Sequence, residues 1–98
     1  MADVVWGARA RNDLASTAEY IAQDSPRAAR AWMTRVIRAT ERLQDAPLSG
    51  RIVPEYDEHE IRELIVGNYR IIYRVTALGV EIARVWHGAR SLTRDSIT

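Results

Sequence analysis

The chain has 98 residues, a formal net charge of +1 and no cysteine, and its apolar and charged residues make up 47% and 28% of the total. This balance is typical of one folded globular domain, spanning residues 1–98, rather than of a disordered chain. The lack of cysteine excludes disulfides and thiolate metal sites, and the small net charge disfavours a protein that coats nucleic acid through bulk charge.

The N-terminus lacks the basic-then-apolar pattern of a secretion signal, and no apolar run approaches the roughly 20 residues of a bilayer-spanning helix. We therefore expect a cytoplasmic protein that has no contact with membranes. His59 and His87 lack the spacing of metal ligands, so we predict no metal and no other cofactor.

The first half of the chain predicts a strand and a helix hairpin. The short apolar run Asp3–Trp6 reads as an edge strand, and apolar residues then recur with the helical period from Ala10 to Ile21. Ser25 is a good N-cap and Pro26 suits the first position of a second helix, whose apolar stripe runs over Ala29–Leu43. The gap between the helices is too short for a strand, so they must pack as an antiparallel hairpin.

The second half predicts three antiparallel strands joined by short turns. Residues 46–54 read as a loop, and the acidic stretch Glu55–Glu60 as a solvated connection. The pair Gly67 and Asn68 signals a hairpin turn of undetermined type. The tail has little apolar content and is expected to be mobile from about residue 91. Strands are predicted at Arg62–Val66, Tyr69–Val75 and Val80–His87.

The predicted order is therefore β-α-α-β-β-β, an α+β fold in which a helix hairpin covers one face of an antiparallel sheet. The other face would stay half open and lined by arginines. The predicted core comprises Leu14, Ile21, Trp32, Val36, Leu43, Ile71 and Tyr73.

The arginines of the last three strands are candidates for binding an anionic partner. Residues 64–94 contain five arginines and one glutamate, a local balance of +4, and the chain has no lysine. Guanidinium groups suit the binding of carboxylates and phosphates. The alternative is ordinary strand-edge charge that prevents aggregation. The candidate binding residues are Arg70, Arg74, Arg84 and Arg90.

The sequence Trp86-His87-Gly88-Ala89-Arg90 closes the last strand and offers a possible acid/base group. A histidine beside an arginine could act on a phosphate ester. The alternative is structural, with His87 capping the strand and Arg90 paired with an acidic residue.

Several motifs in this order and spacing resemble the RelE/ParE superfamily of type II toxin–antitoxin toxins, and most closely its ParE branch. The most specific are Val66–Val75 and Val85–Arg90, and Pro47–Arg51 adds to them. The resemblance covers nearly the whole chain. It implies a helix hairpin on an antiparallel sheet and a cognate, ParD-like antitoxin with a charged C-terminal segment.

The resemblance implies two possible activities. ParE-like toxins inhibit DNA gyrase, whereas RelE-like toxins are ribosome-dependent mRNA endonucleases. An endonuclease would use Arg70, His87 and Arg90, but this chain has no lysine, and Ser96 falls near the position of the RelE-like C-terminal tyrosine.

We therefore predict a gyrase inhibitor without catalytic residues of its own, whose target contacts include the candidate arginines and the tail 91–98. The mRNA endonuclease is the alternative. A third possibility is a non-toxic member that acts only as co-repressor with a neighbouring gene product.

Overall fold

The computed structural model describes residues 1–97 and has the element order that the sequence pattern predicts, with one additional short strand. Short 3₁₀ turns follow the second helix at Arg42–Gln44 and close the chain at Arg94–Ile97. The helices and strands are β1 (Asp3–Trp6), α1 (Ala8–Asp24), α2 (Pro26–Glu41), β2 (Arg51–Ile52), β3 (Ile61–Val66), β4 (Tyr69–Thr76) and β5 (Gly79–His87).

The sheet is mixed, with strand order β1-β5-β4-β3-β2. Strands β3, β4 and β5 form the predicted antiparallel meander. Strand β2, which lies in the stretch predicted as a loop, pairs with β3 at the outer edge of this meander. The one departure from the predicted antiparallel sheet is β1, which pairs parallel to β5. A parallel pair needs a long connection along the chain. Here both helices and the other strands lie between β1 and β5 in sequence and provide it.

The helix hairpin begins and ends where the sequence predicts. Ser25 lies between the helices, and its Oγ accepts a hydrogen bond from the Ala28 N–H at 3.0 Å, while Pro26 occupies the first position of α2. No helix among residues 1–97 is long and apolar enough to cross a bilayer.

The turn between β3 and β4 consists of Gly67 and Asn68, as predicted. Only the first of the two has a positive φ, of 60° for Gly67, which is the pattern of a type II′ turn. The twist of this turn matches that of the strands and sets the register that pairs Ile65 with Arg70.

The main core lies between the helix hairpin and the sheet. Trp32 and Val36 of α2 and Leu43 of the following 3₁₀ turn form one buried cluster with Ile71 and Tyr73 of β4. Leu14 and Ile21 of α1 are half-buried and pack against this cluster from one side.

A second apolar cluster covers the face of the sheet that we expected to stay open. The tail reaches this face, where the Tyr56 hydroxyl donates to the Thr93 carbonyl at 2.5 Å and Ile97 is only 7% exposed. The tail after residue 91 therefore lies against the sheet instead of extending from it; Thr98 lies outside the described residues. The cluster consists of Val53, Tyr56, Ile61, Ile72, Ala83, Trp86 and Ile97.

The substitution Ile97→Ala tests whether the tail is packed in solution. Deleting a buried isoleucine side chain should lower the free energy of unfolding by about 2 kcal/mol or more, measured by urea denaturation. Leu78→Ala is the matched control, since Leu78 is 88% exposed in the β4–β5 turn and its loss should change stability by less than about 0.5 kcal/mol. Equal, small effects of the two substitutions would show that the tail is detached.

Candidate functional site

Arg70 is the most enclosed of the candidate arginines, with 8% of its surface exposed. Its Nε donates to Glu63 Oε1 at 2.5 Å, and its two Nη atoms donate to the two carboxylate oxygens of Glu55 at 2.7 and 2.6 Å. All three guanidinium nitrogens therefore donate to carboxylates of the chain itself.

Strand register brings these charges together. Glu63 lies two residues before Ile65 on β3, and Ile65 is directly opposite Arg70, so Glu63 and Arg70 are diagonal neighbours on one face. On the other side, Glu63 is opposite Arg51 of β2, whose Nε donates to Glu63 Oε2 at 2.6 Å. We refer to Arg51, Glu55, Glu63 and Arg70 as the Arg70 network.

The Arg70 network satisfies a carboxylate that would otherwise be costly to bury. Glu63 is only 1% exposed, and an unpaired carboxylate at such a position would lose its hydration without compensation. Both of its oxygens instead accept hydrogen bonds from guanidinium groups, one from Arg51 and one from Arg70.

Close backbone packing at Gly50 holds β2 at this edge of the sheet. The Gly50 N–H donates to the Tyr73 hydroxyl at 2.9 Å, and this hydroxyl donates in turn to the Pro47 carbonyl at 2.9 Å. A Cβ atom on Gly50 would stand 2.6 Å from the same hydroxyl, so only glycine fits here without displacement. The contact fixes the position of Arg51, the next residue.

The acidic stretch after β2 is thus not wholly the solvated connection that we expected. The hydrogen bonds from Arg70 lower the pKa of the Glu55 carboxyl from 4.5 to about 2, and the same contact raises the pKa of Arg70. Glu55 is therefore ionised and bound to Arg70 over the whole physiological pH range.

Arg74 and Arg84 are also paired within the chain. Arg74 is opposite Glu81 on β5 and donates to it at 3.0 Å, and it also donates to the Ile97 carbonyl. Arg84 donates to both carboxylate oxygens of Asp13 on α1, at 2.7 and 3.0 Å. The local balance of +4 over residues 64–94 therefore did not indicate unpaired arginines, because Arg84 and Arg70 find their carboxylates outside this segment, at Asp13, Glu55 and Glu63.

Arg90 is the exception among the four candidates. It is exposed after the end of β5, and no carboxylate within residues 1–97 lies at ion-pair distance from it. Its guanidinium lies over the Trp86 ring, 4.2 Å from the ring centroid, while Trp86 Nε1 donates to the Arg90 carbonyl at 3.2 Å.

His87 is exposed at the end of β5, and its ring contacts Tyr69 edge-on at a centroid distance of 5.1 Å. The Ala89 N–H donates to His87 Nδ1 at 3.1 Å. In the neutral ring Nδ1 is therefore the acceptor, and Nε2 carries the proton. The lone pair of Nδ1 is occupied by the bond from Ala89. His87 thus closes the turn after β5, in agreement with one part of the structural alternative, whereas the other part, an ion pair of Arg90 with an acidic residue, does not occur within residues 1–97.

An open cleft of about 470 Å³ lies at this end of the sheet. Its walls include Arg70, Glu55 and Arg51 of the Arg70 network on one side, and His87 and Ala89 on the other. Arg90 lies outside this cleft and lines a neighbouring hollow together with His87. The fold thus brings two of the three candidate endonuclease residues to one cleft, with Arg70 already bound by carboxylates.

Comparison with known proteins identifies the family. The family model described as the ParE toxin of the type II toxin–antitoxin system parDE matches residues 4–92. The chain belongs to the ParE toxin family. It is also 40% identical over 91 residues to Toxin RelE2 of Caulobacter vibrioides, an alignment that covers 92% of this chain and 99% of that toxin. This ParE-family chain is therefore a type II toxin of the RelE/ParE superfamily, and membership implies a cognate antitoxin.

The fold agrees with that of a solved relative. A chain of the chromosomal ParDE system from P. aeruginosa superposes with a TM-score of 0.73 at 20% identity, covering 89% of this chain and 96% of the other. This likeness confirms the α+β fold of the ParE-family toxin.

The acidic members of the site were missed from the sequence. One signal was available for Glu63, which shares its strand face with Ile61 and Ile65, where a buried carboxylate requires a partner. Nothing local marks Glu55 or Asp13, because each meets its arginine only through the tertiary fold.

The depressed pKa of Glu55 predicts a specific acid sensitivity. A carboxyl whose pKa is lowered on folding stabilises the protein above its unfolded pKa, and this contribution is lost as pH falls through the folded value. The free energy of unfolding should therefore decline between about pH 4.5 and pH 2, and Glu55→Gln should remove part of this decline. Urea denaturation at pH 7, 4 and 3 measures it. Parallel pH profiles for the wild type and Glu55→Gln would contradict the pairing.

Proposed function

We propose that this toxin poisons DNA gyrase as a binding protein, without a chemical step of its own, and that a ParD-like antitoxin neutralises it in the cytoplasm. The observation that carries the proposal is the state of Arg70, whose three guanidinium nitrogens all donate to Glu55 and Glu63. An arginine held in this way is unavailable to stabilise the transition state of a phosphodiester without first losing buried ion pairs.

Two further features of the site support a non-catalytic toxin. The lone pair of His87 Nδ1 accepts from Ala89, so the neutral ring has no free base directed at a substrate hydroxyl. Ser96, which falls near the position of the RelE-like tyrosine, is buried, and its Oγ accepts from the Thr93 N–H. This serine holds the tail and offers no acid group to the cleft.

Arg90 is the candidate we favour for contact with the target. It is exposed, has no carboxylate partner among the described residues and is oriented by the Trp86 ring. Arginine and tryptophan are both enriched among residues that dominate binding energy at protein interfaces.

The antitoxin is proposed to bind the helix hairpin rather than the arginines of the sheet. An open, mainly apolar groove of about 550 Å³ lies between α1 and α2, with Ala18, Ala22, Ala29 and Met33 among its lining residues. Since Arg70, Arg74 and Arg84 already have carboxylate partners, apolar burial in this groove is the larger available source of affinity.

The mRNA endonuclease remains the second candidate because Arg70 and His87 line one cleft and a relative is named Toxin RelE2. In this case a ribosome-bound mRNA would have to displace Glu55 from Arg70. Arg70 would then bind the phosphate of the mRNA, and His87 and Arg90 would lie beside it.

Two parallel assays on one preparation of the purified toxin decide between these functions. The first measures supercoiling and DNA cleavage by gyrase, and the second measures cleavage of ribosome-bound mRNA. We expect trapped gyrase–DNA cleavage complexes at micromolar toxin and intact mRNA. Arg90→Ala should require at least about tenfold more toxin for the same trapping, the effect of losing about 1.4 kcal/mol of binding.

His87→Asn serves as the control, because the asparagine Oδ1 can accept the hydrogen bond from the Ala89 N–H in place of the imidazole, while the acid/base group is lost. It should trap gyrase as the wild type does. Cut mRNA that becomes intact with His87→Asn, together with normal supercoiling, would contradict the proposal and establish the endonuclease.

A further inference from the structure

Four arginines along the outer face of α2 and its following turn differ from those of the sheet. Within residues 1–97 none of the four forms an ion pair, and all are exposed. Arg70, Arg74 and Arg84, in contrast, each have a carboxylate partner. We refer to the four as the α2 arginine stripe, which consists of Arg27, Arg35, Arg38 and Arg42.

The spacing of the stripe places its members on one side of the helix. At 3.6 residues per turn they fall within about 80° of its circumference, and a rise of 1.5 Å per residue spreads them over about 22 Å. Arg30 lies on another side, where it lines the apolar groove between the helices. Glu41, the one carboxylate of α2, forms no ion pair with the stripe.

The residues between these arginines indicate what kind of anion they fit. The intervening positions on this side are small, Ala31 and Thr34. Met33 lines the groove between the helices, and Ile37, which is 38% exposed, lies outside the 80° sector of the stripe. The stripe thus lacks the apolar centre of a protein interface and the exposed aromatic rings on which single-stranded bases stack. A straight row of guanidiniums suits a rigid line of phosphates, and duplex DNA offers one charge per about 1.7 Å of its axis.

We propose that the α2 arginine stripe binds the phosphate backbone of duplex DNA without regard to base sequence. The net charge of +1 does not oppose this, because charge is distributed unevenly along the chain. The helix α2 and its following 3₁₀ turn carry five arginines, the four of the stripe and Arg30, against the single carboxylate of Glu41. The proposal stands independently of gyrase, since it concerns DNA alone.

Fluorescence anisotropy with a 20-base-pair duplex of arbitrary sequence tests the stripe. Four phosphate contacts predict a slope of about −3.6 for the logarithm of the association constant against the logarithm of salt concentration, so each doubling of salt should weaken binding about 12-fold. Replacing all four arginines by glutamine should abolish binding at 25 mM salt, with circular dichroism and thermal denaturation confirming that the variant is folded.

A matched pair of single substitutions separates the stripe from general charge. Arg38→Gln removes one phosphate contact and should reduce the slope by about 0.9, whereas Arg30→Gln makes the same chemical change on the same helix and should leave the slope unaltered. Equal effects of the two would overturn the proposal, as would the absence of duplex binding at 25 mM salt or wild-type binding by the fourfold variant.

Two competing ligands complete the test. A 20-nucleotide single-stranded RNA should bind more weakly than the duplex, because the stripe offers no stacking surface. If this RNA or a polyglutamate peptide binds through the stripe at least as tightly as the duplex, the occupant is single-stranded RNA or an acidic protein segment, and the assignment to DNA is wrong.

Discussion

The pairing of Arg70 with Glu63 is the interaction on which the arrangement of this end of the sheet depends. Two charges that are nearly excluded from water are stable only while their hydrogen-bonding atoms have charged partners, and this contact is the one in which both partners are buried. The pair joins β3 to β4, Arg51 connects it to β2, and Glu55 draws the loop after β2 onto the same guanidinium. One wall of the cleft beside His87 is formed by this network, and the ion pairs of Arg70 within it are the main support for the proposed function.

The same logic distinguishes two groups among the arginines of the chain. Those on the sheet act as structural cations, since Arg74 and Arg84 each bind a carboxylate and also donate to carbonyls of the tail, at Ile97 and Ser96. Those on the outer face of α2 have no such partners among residues 1–97 and remain available to an external anion. A net charge near zero therefore conceals a segregated distribution, in which position rather than number decides which cations can act.

The elements could be predicted from local sequence because their signals are local. The N-cap at Ser25, the stripe that buries Trp32 and the turn at Gly67 each depend on a few neighbouring residues. The prediction that arginines lie on the face away from the helix hairpin was also correct for Arg70, since Ile71 belongs to the core beneath the helices and Arg70 to the opposite face. The candidate site was less accessible, because a count of charge along the chain does not show that Asp13 of α1 reaches Arg84 on β5. The packing of Ile97 was hidden for a related reason, since one apolar residue in a polar tail forms no periodic pattern.

The most direct measurement of the central claim is a double-mutant cycle on Glu63 and Arg70, with Glu63→Leu, Arg70→Met and the combined variant compared by urea denaturation. Each single substitution removes one of the two partners of a buried charge, leaving Arg70 with Glu55 alone or Glu63 with Arg51 alone, and should lower the free energy of unfolding by about 1–3 kcal/mol. The combined variant should lose far less than the sum, because its remaining network members, Arg51 and Glu55, are exposed enough to be solvated. Losses that add to within about 0.5 kcal/mol would contradict the claim that this pair organises the site.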